Sequence, residues 1–300
     1  MIDKSIQSTT ELLSFSLELF PPKTDKGTAN LLRQLPLVEK INVRTITVTS
    51  GAGGSGNNRT FSTVKSIRSK TTAPPTPHVT CIGNDKNETQ HILDLYAEER
   101  IYDILALRGD TNEVEVASPA NDSYETAASL VRGVRERSDG DQFHISVAGY
   151  PEVHPKAQSR KADLDNLKRK VDEGADLILT QFFFDPKTYL DFLVDTEALG
   201  IDTPIVPGII LLTDFPRISS FAEKCGATIP DWITGRFANI EPNSKDAVSL
   251  AKEITIRQCS ELVENGVRMF HLYTMNRLDS IASICETLQN EFAPKGCMGS

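Results

Sequence analysis

The chain has 300 residues, of which 39% are apolar and 24% charged, a balance that argues against a disordered or fibrous chain. Its 32 Lys and Arg stand against 41 Asp and Glu, a net charge of −9, which excludes the broad basic face that sequence-independent nucleic-acid binding requires. Apolar runs are strand-sized, short of the ~20 residues of a membrane helix, and the N-terminus lacks a signal-peptide pattern. Five widely spaced cysteines with no CxxC pair predict free thiols, no zinc site and a cytoplasmic setting.

In chain order, strand-like segments fall at 14–19, 44–49, 77–81, 102–107, 143–149, 176–181, 204–209 and 268–273. They are short and rich in β-branched or aromatic residues, several apolar on both faces, as buried parallel strands are. Amphipathic stretches of helical length lie between them. They cover 25–40, 87–100, 123–138 (opened by Ser123 as a cap), 161–173, 187–199, 244–264 and 276–292, with an extra helical element at 230–239. The strand spacing predicts a (β/α)8 TIM barrel, a single domain over residues 1–300 with a frayed tail at 293–300. Alternation alone also fits an open doubly wound sheet. The polar residues favour the barrel, because Glu18, Thr49, His78, Arg108-Gly109-Asp110, Tyr150 to His154, Gln181 and Tyr273 to Arg277 collect at strand C-terminal ends.

Gly51-Ala52-Gly53-Gly54-Ser55-Gly56 satisfies GxGxxG, yet no acidic residue follows about 20 positions on, and the next helix is expected only near Thr60. A loop at the site fits better than a dinucleotide fingerprint. Glu18 sits in Leu17-Glu18-Leu19-Phe20. It reads either as a carboxyl withdrawn from water and suited to general acid work, or as a strand-end residue facing solvent or an ion-pair partner. Arg108-Gly109-Asp110 reads as a turn with an ion pair, or as a fixed charge beside a glycine that lets backbone approach a ligand. The basic segment 156–170 carries Asp163, Asn166 and Lys170 on one helical stripe with Arg169 beside it. It is either a solvated face or a pocket for one anionic ligand. The five histidines make no metal pattern.

Taken together, the motifs resemble those of the methylenetetrahydrofolate reductases of the short bacterial type. They are Ser16-Leu17-Glu18-Leu19-Phe20-Pro21-Pro22-Lys23, Pro77-His78-Val79-Thr80-Cys81, Ala106-Leu107-Arg108-Gly109-Asp110, Tyr150-Pro151-Glu152-Val153-His154-Pro155, Asn166-Leu167-Lys168-Arg169-Lys170, Thr180-Gln181-Phe182-Phe183-Phe184-Asp185 and Tyr273-Thr274-Met275-Asn276-Arg277. The resemblance spans about 15–288. It implies a barrel that binds FAD and reduces 5,10-methylenetetrahydrofolate to 5-methyltetrahydrofolate with NAD(P)H by ping-pong hydride transfer, supplying methyl groups for methionine synthesis. It implies flavin contacts at Thr49, Ala52, His78, Arg108, Gly109, Asp110, Tyr150, His154, Ala157, Asp163, Asn166, Arg169 and Lys170. The catalytic pair it implies is Glu18, the general acid, and Asp110, which stabilises charge. Substrate contacts fall to Gln181, Arg217, Phe221 and Arg277, with Arg217 standing where related enzymes carry glutamine. The loop 111–123 departs from the family pattern. No arginine is placed to read a 2′-phosphate, which favours NADH. Small-molecule substrates, no metal, no nucleic acid, no membrane and a homo-oligomer are expected, without a regulatory domain or S-adenosylmethionine inhibition. A flavin-free folate-binding transferase and a noncatalytic flavin- or folate-binding protein are the competing readings.

Overall fold

The computed structural model describes residues 12–50, 54–109 and 122–293, with 54–57 described in backbone alone. Strands and helices alternate: β1 (Ser14–Leu19), α1 (Asp25–Gln34), β2 (Val43–Val48), α2 (Gly54–Lys70), β3 (Pro75–Thr80), α3 (Lys86–Glu98), β4 (Asp103–Leu107), α4 (Ala127–Arg135), β5 (His144–Gly149), α5 (Arg160–Asp172), β6 (Leu177–Phe182), α6 (Pro186–Ala198), β7 (Ile205–Ile210), α7 (Phe215–Cys225), α8 (Asp231–Phe237), α9 (Lys245–Glu264), β8 (Met269–Tyr273) and α10 (Leu278–Glu291). Each strand pairs in parallel with the next, and β8 pairs with β1, closing an eight-stranded barrel. Closure excludes the open doubly wound sheet. The extra helical element is α8.

Three boundaries move from expectation. Pro36 lacks an N–H, so α1 stops at Gln34 and the chain continues to Lys40 as a 3₁₀ turn. Helix α2 begins at Gly54, within the glycine run rather than near Thr60. Helix α4 is capped by Thr126, whose hydroxyl accepts from the Ser129 N–H in a reciprocal capping box, so Ser123 is not its cap. The expected tail from residue 294 on, most of the loop 111–123, Ala52 and Asp110 lie outside the described residues.

The main apolar core lies between the outer face of the barrel and the helices, built on Phe15, Leu17, Ile46, Val147, Ile178 and Phe270. A second cluster under α7, α8 and α9 joins Phe182, Ile210, Ile233 and Phe237. Inside the barrel, Leu105, Leu179 and Val206 form a small apolar plug from β4, β6 and β7. The opposite side is polar. In β1, Ser14, Ser16 and Glu18 alternate with Phe15, Leu17 and Leu19, and all six residues are buried. Register puts Ser16 beside Thr45 and His271, and Glu18 beside Thr47 and Tyr273, on one face of the sheet. The interior is thus split into an apolar half, which packs, and a polar half, which leads to Glu18.

Candidate active site

Glu18 lies at the C-terminal end of β1, 6% exposed. Two histidines approach the same oxygen: Nε2 of His78 on β3 is 3.5 Å from Oε2, and Nε2 of His271 on β8 is 3.7 Å from it. His271 Nδ1 shares a 2.6 Å hydrogen bond with Ser16 Oγ. If Ser16 donates in it, Nε2 carries the imidazole proton and faces the Glu18 carboxyl. Burial pulls the His78 pKa down to about 4, against the opposing pull of Glu18, so the ring is neutral at pH 7. Its Nε2 makes no hydrogen bond, nor does Thr47 Oγ1 on the neighbouring strand, although both are buried. Tyr273 completes this wall, its ring 4.9 Å from that of His271 and its hydroxyl donating to Thr180 O at 3.0 Å. Desolvation first, and then the nearby Glu18, hold that phenol well above its ordinary pKa.

The barrel mouth is shaped by one irregularity. Register between β6 and β7 slips between Leu179 and Phe182. Gly208 permits the slip, because its N–H donates to Thr180 Oγ1 at 2.8 Å and a Cβ there would lie 2.2 Å from Thr180 O. Gln181 sits in this bulge, its side-chain oxygen accepting from the Phe182 N–H. Phe182 in turn meets Phe221 and Tyr273, each at 5.4 Å between ring centroids.

On the other side of the mouth, the segment after β5 is tied to α5. Asp163 Oδ2 accepts from the His154 N–H at 2.9 Å, and the rings of His154 and Tyr150 pack edge to face at 4.5 Å. The Lys170 ammonium donates to Ala148 O and has Asp163 nearby; desolvation pulls its pKa down to about 8. Arg169 bonds Asn166 from an exposed position. The basic character expected of the whole segment is narrower than the sequence suggests. Arg160 pairs with Asp195 at 2.8 Å and braces the carbonyls of Pro151 and Glu152, Lys161 pairs with Asp165, and Lys168 pairs with Asp172. Among the described residues, Arg169 and Lys170 are the cations of α5 without a carboxylate in hydrogen-bond contact.

A family model for methylenetetrahydrofolate reductase matches residues 2–289. The chain belongs to the methylenetetrahydrofolate reductase family. It is 38% identical over 285 residues to the 5,10-methylenetetrahydrofolate reductase of Pectobacterium carotovorum subsp. carotovorum, covering 94% of this chain and 93% of that one. Against the enzyme of the same name from Escherichia coli (strain K12) the identity is 36%, covering 96% and 94%. Methylenetetrahydrofolate reductase (NADH) 1 of Arabidopsis thaliana is 33% identical across 92% of this chain and 48% of its own length. Among solved structures, a Clostridium thermocellum protein that binds two copies of 5-methyl-5,6,7,8-tetrahydrofolic acid shares the fold, with a TM-score of 0.63 at 11% identity over 97% of this chain and all of that one.

The reductase-family pattern distributes its implied residues unevenly over this barrel. Glu18 and His78 meet at the mouth, where Glu18 and Tyr150 both lie near Tyr273, a residue outside that implied set. Thr49 extends β2, donating its N–H to Leu19 O, while Gly109 holds a φ of +87° with Thr80 3.3 Å from where its Cβ would be. Arg108 is exposed beside it, and the Ala157 N–H donates to His154 O. Arg277 bonds Asn243, which bonds Asp214, so it is anchored to the entrance of α7. Arg217 is exposed on α7. His271, Ser16, Thr274 and Asn276 were not singled out as site residues from sequence. Period-two alternation was the available signal, since it puts Ser16 on the face of Glu18 and His271 on that of Tyr273. No group of three or more potential metal ligands exists among the described residues. No helix among them is long and apolar enough to cross a membrane.

Proposed function

We propose that the chain reduces 5,10-methylenetetrahydrofolate to 5-methyltetrahydrofolate, using a nicotinamide donor and FAD held at the barrel mouth, and so supplies methyl groups for methionine synthesis. The observation that carries this reading is Glu18, a buried carboxyl at the mouth of a barrel of this family, with His78 and His271 on one of its oxygens.

The residues present fit FAD. A buried ammonium with a lowered pKa and an exposed guanidinium, Lys170 and Arg169, suit a diphosphate. Asp163 and Asn166 suit ribose hydroxyls, and the Nε2 of buried His78, which lies near Glu18 but makes no hydrogen bond, suits a polar ring edge. Thr49, Arg108, Gly109, Tyr150, His154, Ala157, Ala52 and Asp110 complete the proposed set. When bound, FAD would carry hydride from nicotinamide to folate.

The chain's own task is to make the folate an acceptor. Its methylene carbon bridges N5 and N10 and accepts hydride poorly. A proton delivered by Glu18 to N10 breaks the C–N10 bond and leaves a cationic iminium at N5, which accepts hydride readily. Asp110 would stabilise the iminium charge. Gln181 would orient the pterin, Phe221 would pack on folate or nicotinamide, and Arg277 and Arg217 would meet anionic groups.

The test is the Glu18→Gln variant in anaerobic half-reactions. NADH is expected to bleach the yellow protein at a near-parental rate, and methylenetetrahydrofolate to fail to reoxidise it. Equal loss of both half-reactions would sink the acid role. A protein that cannot be reconstituted to a visible flavin band would favour the transferase reading.

A further inference from the structure

On its β8 side the pairing of β1 ends at Glu18 with Tyr273, whereas on its β2 side it runs on to Leu19 with Val48. The loop after β8 replaces the missing ladder with side chains. Thr274 Oγ1 donates to Glu18 O at 2.6 Å, and the Thr274 N–H reaches the same oxygen at 3.3 Å. Two residues on, the Asn276 amide grips Phe20 at both ends: Oδ1 accepts from the Phe20 N–H at 2.9 Å, and Nδ2 donates to Phe20 O at 2.8 Å. A primary amide offers a donor and an acceptor side by side, as a peptide unit does, so Asn276 acts as one more rung of sheet. An aspartate would lack the donor, and a leucine both groups.

The loop adopts an unfavourable backbone to make this grip. Met275 and Asn276 have φ of 50° and 58°, two consecutive left-handed residues, of which only asparagine visits that region readily. The Asn276 N–H closes the turn onto Thr274 Oγ1 at 3.0 Å, and the Arg277 N–H onto Thr274 O at 2.8 Å. Gln34 at the end of α1 joins the Asn276 carbonyl to the Asp279 N–H that opens α10. Strain of this kind persists where the surroundings over-determine it, and here they converge on the backbone flanking Glu18.

We infer that Asn276, with Thr274, is a positioning residue for the Glu18 carboxyl: it fixes the strand end so that Oε2 stays against His78 and His271 and is aimed into the mouth. This rests on the acid role proposed for Glu18. A displacement of about 1 Å in such a group can slow a reaction ~100-fold.

The experiment uses full-length FAD-loaded protein, with the nicotinamide and folate half-reactions measured separately. Asn276→Gly keeps the left-handed backbone unstrained and removes the grip; Asn276→Asp serves if the glycine variant does not fold. Either should slow the folate half-reaction ~10- to 100-fold while the nicotinamide half-reaction stays within about threefold. Thr274→Val should do likewise, and Thr274→Ser, which restores the hydroxyl, should recover most of the folate rate. A merely structural role would lower both half-reactions together, and that result overturns the inference. So does an unchanged folate half-reaction in Asn276→Gly when Glu18→Gln abolishes it. If Glu18→Gln itself leaves the folate half-reaction intact, the acid role fails first, and the positioning role with it.

Discussion

Lys170 shows how much chemistry rests on one desolvated group. Its ammonium, with a pKa near 8 rather than 10.5, is withdrawn from water, with Asp163 and the Ala148 carbonyl favouring the charged form. A bound diphosphate would favour that form and raise the pKa again. FAD affinity is therefore expected to be greatest below pH 8 and to fall as pH rises above it, with proton uptake on binding. Lys170→Met should weaken FAD ~10- to 100-fold at pH 7, the loss of one charge-assisted contact, and should flatten the pH dependence. Titrations of the FAD-free protein at pH 7 and pH 9 measure both effects. An unchanged affinity would remove Lys170 from the flavin site. The sequence marked Lys170 as part of a basic stripe, but could not show that Arg160, Lys161 and Lys168 of that segment are already held by carboxylates.

At the scale of elements, the mouth depends on the slip between β6 and β7, and the slip depends on Gly208. An added methyl there would meet Thr180 O at 2.2 Å and Tyr273 Cε2 at 2.9 Å, both in well-anchored positions. Gly208→Ala should cost about 3 kcal/mol, read as a lower urea midpoint. Gly235, in the middle of α8 with nothing within 4 Å of its Cβ position, gives the opposite case. Gly235→Ala should stabilise by about 0.5–1 kcal/mol through helix propensity. Equal effects at the two glycines would contradict the packing account. Strand positions were legible because each strand is a short apolar or alternating run. Element ends were less so: Pro36 cut α1 short, Gly54 rather than Thr60 opened α2, and Thr126 rather than Ser123 capped α4. Those ends turn on single hydrogen bonds, which residue patterns report poorly.

Over the whole molecule, the polar half of the barrel interior ties stability to pH. His78 takes up a proton near 6.5 in an unfolded chain but only near 4 in the folded one. Folding is thus favoured above pH 6.5, and up to about 3 kcal/mol of that advantage is lost as pH falls from 6.5 through 4. His78→Gln should show a shallower loss of urea stability between pH 7 and pH 4 than the parent. Parallel curves would show that His78 is not a source of the acid sensitivity.

The sequence by itself determined the order of strands and helices, the barrel and the alternation in Ser14–Leu19 that sends Ser16 and Glu18 to one face. These are properties of near neighbours in the chain, set by side-chain period and turn chemistry. Tertiary structure alone decided which partners Glu18 meets. His78 arrives from β3, His271 and its Ser16 partner are 255 residues apart in the chain, and Asn276 grips Phe20 across 256. No local pattern encodes such pairs, because they exist only once β8 closes against β1 in a particular register.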